Sequence, residues 1–213
     1  MIRARLEMQA PDGNKRVLQL QIKERGTPSA TDLIYLVQWP KERKGEAVIL
    51  HQDADGAPRG TVVTPSGPAR ALDASQMDGG LFGSDLSYQD AIENFFAWKD
   101  QAIAGSEVID GVNCSILESK PGKSGISIYG KVRSWIDSRR LVPMRIEKYS
   151  TSGRLLRRID TTRVARDEQD RFIPGSLVVH SLPKNSVTEF DGARIDQSVR
   201  FTDRDFTPEA IPK

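Results

Sequence analysis

The strongest constraint on the fold is a two-residue alternation of apolar and polar side chains that recurs along the chain. In the run Val17–Lys23, Leu18, Leu20 and Ile22 fall on one face of an extended strand, and polar side chains fall on the other. A turn signal at 12–14 precedes this run, and a second alternating run comes before the turn. Residues 3–25 are therefore predicted to form a β-hairpin with one buried and one solvated face.

The next run, Leu33–Trp39, is apolar on both faces and stops at Pro40. Such a run is typical of a strand that is covered on both sides. Residues 45–52 are predicted to form another strand. The stretch from 60 to 83 is rich in proline and glycine, which disfavours long regular elements.

One helix is predicted over residues 87–102. Ser87 is a suitable N-cap residue, and Asp90 stands three positions later, as in a capping box. Ile92, Phe95 and Phe96 then follow at helical spacing, so the helix should bury one apolar stripe.

Short alternating segments separated by turn signals fill the second half of the chain and predict a β-meander of six or more strands. The predicted turns are 110–111, 137–140, 150–153, 167–170, 183–186 and 191–192. Thr207 followed by Pro208 predicts a short C-terminal helical turn.

Together these elements predict one domain over residues 1–213, mainly β with some α (α+β). We expect a curled antiparallel sheet that forms an incomplete β-barrel with a helical lid or plug, because so long a sheet normally curls. Such a sheet can enclose a cavity for apolar ligands. The candidate lipid-binding residues are Leu18, Leu20, Ile22, Tyr35, Val37 and Trp39 on the wall, and Ile92, Phe95 and Phe96 on the lid.

Composition excludes several classes of protein. The 213 residues carry 31 Lys plus Arg against 29 Asp plus Glu, a balance that disfavours a polybasic nucleic-acid binder. The apolar stretches are too short for a transmembrane helix, and the first residues lack the apolar core of a secretory signal. The protein is expected to be either cytosolic or a form from which the signal has been removed.

No catalytic, metal-binding or cofactor-binding motif stands out, so a non-enzyme without cofactor or metal is expected. Cys114 alternates with Val112 and Ile116, which indicates a small buried apolar residue rather than a nucleophile. His51 and His180 lie in strand-like segments. A hydrolase that uses either histidine is the third alternative, since it needs a serine and a carboxylate brought close by folding.

Several segments resemble the outer-membrane lipoprotein-sorting protein family, which includes relatives of the carriers LolA and LolB. The segment Leu81–Asp90, with its Gly-Ser-Asp-Leu-Ser-Tyr-x-Asp signature, is the most specific. The others are Val108–Cys114, Val132–Asp137, Leu141–Glu147, Phe172–Pro174 and Phe201–Thr207, in the same order as in the family.

This resemblance implies a periplasmic carrier, after signal removal, that binds the acyl chains of lipoproteins or other lipids in a hydrophobic half-barrel. It implies no catalytic residue. The expected partners are lipid or lipoprotein acyl chains, with an inner-membrane transporter or an outer-membrane acceptor, and no nucleic acid. The alternative is a binding module that docks on an envelope or membrane transport protein without carrying lipid.

Overall fold

The structure is a computed structural model and describes residues 1–54, 56–122, 127–195 and 198–212. Its regular structure consists of thirteen β-strands joined by turns and short 3₁₀ segments. The strands are β1 (Ile2–Gln9), β2 (Lys15–Gly26), β3 (Ala30–Trp39), β4 (Ala47–Asp53), β5 (Arg59–Val63), β6 (Arg70–Leu72), β7 (Asp100–Ile109), β8 (Val112–Lys120), β9 (Lys131–Asp137), β10 (Pro143–Tyr149), β11 (Leu155–Arg166), β12 (Phe172–Ser181) and β13 (Ser186–Ile195).

The strands follow the order β6-β5-β4-β3-β2-β1-β13-β12-β11-β10-β9-β8-β7, in which β6 and β7 are the two ends. The pairs whose register is defined are antiparallel. The predicted antiparallel sheet of many strands is thus confirmed. The backbone groups into two compact units, which are described one at a time, and a single domain over 1–213 stays a prediction.

The first unit comprises Met1–Glu7, Arg16–Glu93 and Gly192–Lys213. At its centre, β3 is buried on both faces, as its uninterrupted apolar run predicted, and the first four residues of β4 are buried as well. Ile34, Leu36, Ala47 and Ile49 form one of these faces and pack against Phe206 and Ile211 of the C-terminal segment. The described C-terminal residues include the predicted short turn, a 3₁₀ segment at Pro208–Ala210.

The second unit comprises Met8–Lys15 and Asn94–Asp191 and contains the β-meander. From β7 to β13, each strand of this region pairs with its neighbour in sequence, so the predicted meander is confirmed. Asp110 and Gly111, with φ of 48° and 79°, make the tight β7–β8 turn. The turn predicted at 191–192 is wrong, since β13 continues through both residues.

The predicted helix over 87–102 is wrong, and with it the helical lid: the described residues contain no α-helix. The capping box does form, because the backbone N–H of Asp90 donates to Ser87 Oγ at 3.0 Å and that of Ser87 donates to Asp90 Oδ2 at 2.9 Å. It opens only one turn, which ends when the N–H of Glu93 bonds the carbonyl of Gln89. The chain is already in strand β7 at Asp100.

The backbone leaves the helical conformation directly after this turn, at Asn94, whose φ and ψ are −93° and 80°. Gln101 Nε2 donates to the backbone carbonyls of Phe95 at 3.2 Å and of Phe96 at 2.8 Å. In an α-helix these two carbonyls would accept from backbone N–H groups four residues later. Here Gln101 of β7 bonds both carbonyls, the carbonyl of Phe95 also accepts the N–H of Trp98 at 3.3 Å, and the chain forms only a 3₁₀ segment at Phe95–Ala97. No helix long and apolar enough to cross a membrane occurs within the described ranges.

Candidate functional site

Five predicted wall residues lie on one buried face of β2 and β3, which we call the wall face: Leu18, Leu20, Ile22, Tyr35 and Val37. Leu20 stands directly opposite Val37, and Ile22 stands opposite Tyr35. Residues directly opposite each other in an antiparallel pair share a face, so the two strands present one continuous apolar surface. The exposed fraction of each of these side chains is 8% or less.

The wall face extends onto β4, where Val48 stands opposite Tyr35 and Leu50 opposite Leu33. The opposite face of β3 and β4 is the one already occupied by the C-terminal segment. Of the two faces, only the wall face thus carries the predicted lipid-binding residues.

A folded loop at residues 77–93, which we call the covering segment, contacts the wall face through one defined hydrogen bond. The hydroxyl of Tyr35 donates to the backbone carbonyl of Ala91 at 3.2 Å. Burial raises the pKa of Tyr35 far above that of a free tyrosine, and the charge of Glu24 adds to the increase, so the hydroxyl stays a donor. Tyr35 is the one polar side chain among the five predicted residues of the wall face.

The covering segment is held together mainly by its own backbone. The N–H of Leu81 bonds the carbonyl of Leu86 at 2.7 Å, and the N–H of Tyr88 bonds that of Gly79 at 2.9 Å. Its Leu81, Phe82 and Ile92 side chains are buried. Phe82 has a φ of 54°, a left-handed conformation that is unusual for a large side chain.

The remaining candidates are placed differently from their prediction. Trp39 is 50% exposed, because a register shift next to Gln19 pairs it with Gln19 rather than continuing the alternation of Tyr35 and Val37. Ile92 is buried in the covering segment. Phe95 belongs to the second unit, where it packs with Tyr129 and Val132, and its neighbour Phe96 is 40% exposed.

A protein-family model described as "Uncharacterized protein" matches residues 32–213, well over half of the chain. The chain belongs to this family. No curated protein sequence matches it.

Three solved structures show the fold that this family member adopts. A domain named for outer membrane lipoprotein sorting, from Vibrio parahaemolyticus, is 16% identical with a TM-score of 0.89, over 98% of this chain and 89% of that one. A DUF1329 family protein from Desulfovibrio piger is 19% identical with a TM-score of 0.90, over 99% and 90%. A LolA superfamily protein from Nitrosomonas europaea is 21% identical with a TM-score of 0.77, over 99% and 90%. The fold is therefore LolA-like, as the resemblance of the sequence motifs implied.

Both histidines of this family member contact carboxylates. His51 Nδ1 lies 2.7 Å from Asp32 Oδ1, and its Nε2 lies 3.1 Å from Asp53 Oδ1. The hydrogen bond to Asp32 raises the pKa of His51 against the opposing effect of burial. His180 Nε2 lies 3.7 Å from Asp160 Oδ2. With both of its nitrogens on carboxylates, His51 has the geometry of an ion pair rather than of a base next to a serine nucleophile.

Cys114 is buried, as its alternation predicted, and burial raises the pKa of its thiol. Nowhere in the described ranges do three or more His, Cys, Asp or Glu side chains form a group that could hold a metal ion.

Sequence reasoning missed the covering segment as a folded loop and the bond from Tyr35 to Ala91. The Gly79-Gly80 pair is the signal that could have indicated the loop. A Cβ on Gly80 would lie 2.1 Å from the backbone oxygen of Ser84, and one on Gly79 would lie 2.9 Å from that of Gln76. Only glycine permits such a tight reversal of the chain.

Proposed function

We propose that this protein is a non-enzymatic carrier that binds the acyl chains of lipoproteins or other lipids on the wall face and works in the periplasm. The observation that carries the proposal is the wall face itself, an apolar surface covered by a loop. The LolA-like fold supports the proposal. One solved protein with this fold is named for outer membrane lipoprotein sorting, and another is named for the LolA superfamily. An inner-membrane transporter or an outer-membrane acceptor is the partner that such a cycle requires.

The proposed cycle exchanges one apolar contact for another. In the proposed closed form, the covering segment shields the wall face, and its Ile92 side chain is buried. An acyl chain that displaces the segment takes over the contacts with Leu20, Ile22 and Val37. Each methylene buried contributes about 0.8 kcal/mol, so a bare groove would hold a long chain too tightly for release. Competition with the covering segment lowers the net affinity and permits release.

The placement of the other candidates limits their proposed roles. Phe95 and Phe96 remain candidate contacts only as separate side chains, because no helix joins them to Ile92 as one lid. Trp39 remains a candidate at the exposed end of β3. Leu18, Leu20, Ile22, Tyr35 and Val37 form the proposed site.

The sharpest test removes the hydrogen bond by which Tyr35 of the wall face contacts the covering segment. In Tyr35→Phe, the loss of a single hydrogen bond worth about 1 kcal/mol should tighten the binding of a fluorescent fatty acid by roughly fivefold, because the segment opens more easily. Tyr149→Phe is the matched control, since its hydroxyl contacts Glu147 on the same strand. Equal affinities for wild type and Tyr35→Phe would contradict the role of the covering segment.

A second function, docking on an envelope or membrane transport protein without lipid, is favoured by one observation: the wall face is filled by the protein's own side chains. Native mass spectrometry with lipid extraction, on protein exported to the periplasm of a Gram-negative host, separates the two. Bound lipid or acylated protein that a fatty acyl probe displaces supports the carrier. An empty protein that ignores acyl probes overturns the carrier and favours docking.

A further inference from the structure

The turn between β9 and β10, residues Asp137–Val142, is built around one buried carboxylate. We call it the Arg-Leu turn. Asp137 Oδ1 accepts the backbone N–H of Arg139 at 2.8 Å and that of Arg140 at 3.2 Å. Asp137 Oδ2 accepts from Nε of Arg140. Burial alone would raise the pKa of Asp137, but these donors lower it, so the carboxylate stays ionised and the turn stays fixed.

Leu141, at the tip of this turn, carries two unfavourable features at once. It is 75% exposed, the most exposed of the large hydrophobic side chains in the described ranges. Its backbone also has a φ of 56°, a left-handed conformation that glycine or asparagine would adopt more easily. The left-handed backbone closes the turn, since the N–H of Leu141 donates to the carbonyl of Asp137 at 2.9 Å, but the turn does not require a leucine side chain there. A large apolar side chain exposed at such a position points to a function.

Two arginines accompany this leucine beside a cavity of about 410 Å³. Arg140 is held in place by Asp137, whereas Arg139 is exposed. The cavity is lined by Gly111, Val112, Asn113, Asp137, Arg139 and Arg140. A guanidinium group suits the recognition of phosphate oxygens, and the cavity offers room for such a group next to both arginines.

We propose that the Arg-Leu turn docks on a membrane surface that contains anionic phospholipid. Leu141 enters the boundary between headgroups and acyl chains, and Arg139 and Arg140 meet the lipid phosphates. The arrangement matches the layers of such a surface, where negative charge lies just outside an apolar region. A single leucine with two cations gives weak, reversible binding. The proposal goes beyond acyl carriage and concerns residues of the second unit, so either proposal can fail while the other holds.

Two carboxylates oppose this binding, those of Asp137 and Asp110, and only Asp110 provides a test in the other direction, because Asp137 also holds the turn together. Asp110 is exposed on the β7–β8 turn, next to Gly111, which lines the same cavity. Its carboxylate repels anionic lipid. Asp110→Asn should therefore tighten binding to anionic vesicles, whereas Arg139→Ser should weaken it by roughly fivefold at low salt.

The main experiment measures co-sedimentation of the full chain with vesicles of phosphatidylglycerol and, separately, of phosphatidylcholine. Leu141→Gly removes the apolar side chain and suits the left-handed backbone, so we expect roughly tenfold weaker binding to phosphatidylglycerol without loss of thermal stability. The matched control is Ile103→Ala, because Ile103 is also exposed, at 70%, but its sequence neighbours Ala102 and Ala104 and its cross-strand partner Leu117 carry no charge. Its binding should equal that of the wild type.

A second variant locates the side chain directly. Leu141→Trp should show a blue-shifted fluorescence on phosphatidylglycerol vesicles and quenching by lipids brominated in their acyl chains. Failure of the wild type to bind phosphatidylglycerol overturns the proposal. So does binding that Arg139→Ser weakens but Leu141→Gly does not, since that result indicates an acidic surface, such as that of a protein, without insertion. Quenching of the tryptophan only by bromide in the solvent would likewise overturn it.

Discussion

Strands β3 and β7 have the same length and contrasting environments. Each has ten residues, yet the six central residues of β3 are buried, whereas the first nine residues of β7 are exposed. β3 has β2 and β4 on its two sides, and β7 is an end strand that pairs with β8. Apolar content alone does not make this difference, because Ile103 and Val108 of β7 remain 70% and 59% exposed. A strand with pairing partners on both sides and with cover on both faces is buried; its composition alone does not decide this.

Both strands contain a register shift, but that of β3 lies at its end, opposite Gln19, whereas that of the edge strand lies in its middle and involves a glycine. The register of β7 shifts between Ile103 and Gly105, and Gly105 has a φ of 141°. An irregularity of this kind bends an edge and makes pairing with another chain less favourable. The comparison thus contrasts a central strand that depends on apolar contacts with an edge strand that tolerates exposure.

The comparison predicts its largest effect for matched isoleucine truncations. Ile34 of β3 is fully buried in the cluster with Leu36, Ile49 and Phe206, so Ile34→Ala should lower the free energy of unfolding by about 2–5 kcal/mol. Ile103→Ala in β7 should change it by no more than about 0.5 kcal/mol, because its side chain is 70% exposed. Urea denaturation monitored by circular dichroism measures both. Similar losses in the two variants would show that β7 is covered in solution.

The strands were predictable from the sequence where the alternation is local. The alternation of polar and apolar residues in β2 was sufficient to predict that strand, and the run of residues in β3 that is apolar on both faces was sufficient to predict the other. The helix over 87–102 was predicted from spacing that is equally local, but the backbone turns away at Asn94 and the residues that follow make other contacts. Gln101 takes the carbonyls of Phe95 and Phe96, and Phe95 packs with Tyr129 and Val132. Short runs with helical spacing do not reveal such competition.

Part of the candidate site was also predictable, because its pattern of side chains is local. Five wall residues share a face because they alternate on two neighbouring strands. The contact between Tyr35 and Ala91 joins residues far apart in sequence, and nothing in the local pattern indicates it. The same is true of the cover that Phe206 and Ile211 provide on the opposite face of β3. Trp39 shows a further limit, since one shifted register at the strand end moved it out of the predicted wall.

An intermediate effect is expected for matched carboxylates near the starts of the two strands. Asp32 of β3 is buried and accepts hydrogen bonds from Arg25 Nη2 at 2.6 Å and from His51 Nδ1 at 2.7 Å. Asp32→Asn removes the charge that both partners require and should cost about 2 kcal/mol. Asp100→Asn in the exposed β7 should be neutral within about 0.5 kcal/mol. Thermal and urea unfolding at pH 7 test both variants, and equal stabilities would contradict the importance of burial at Asp32.

The smallest effect is a pH dependence that arises beside β3 and should not arise beside β7. His51 contacts Asp32 of β3 and Asp53 of β4. The other charged groups of this cluster are Arg59, which contacts Asp53, and Arg25, which contacts both Asp32 and Asp203. The hydrogen bond to Asp32 raises the pKa of His51, and burial only partly opposes it.

A raised pKa in the folded state adds stability that is complete below the unfolded value of about 6.5 and disappears as the pH rises through the folded value. The Tm of the wild type should therefore fall between pH 6.5 and the folded pKa of His51, relative to that of His51→Gln.

On the acid side, burial tends to raise the pKa of Asp32, but the bonds from His51 and Arg25 lower it overall. Its contribution is present above about pH 3.9 and is lost as the pH falls through the lowered folded value. In Asp32→Asn the alkaline decline should be weaker, because His51 then keeps only Asp53 as a carboxylate partner. A difference in Tm between wild type and His51→Gln that stays constant from pH 5 to 9 would show that the ion pair of β3 contributes no more than the exposed charges of β7.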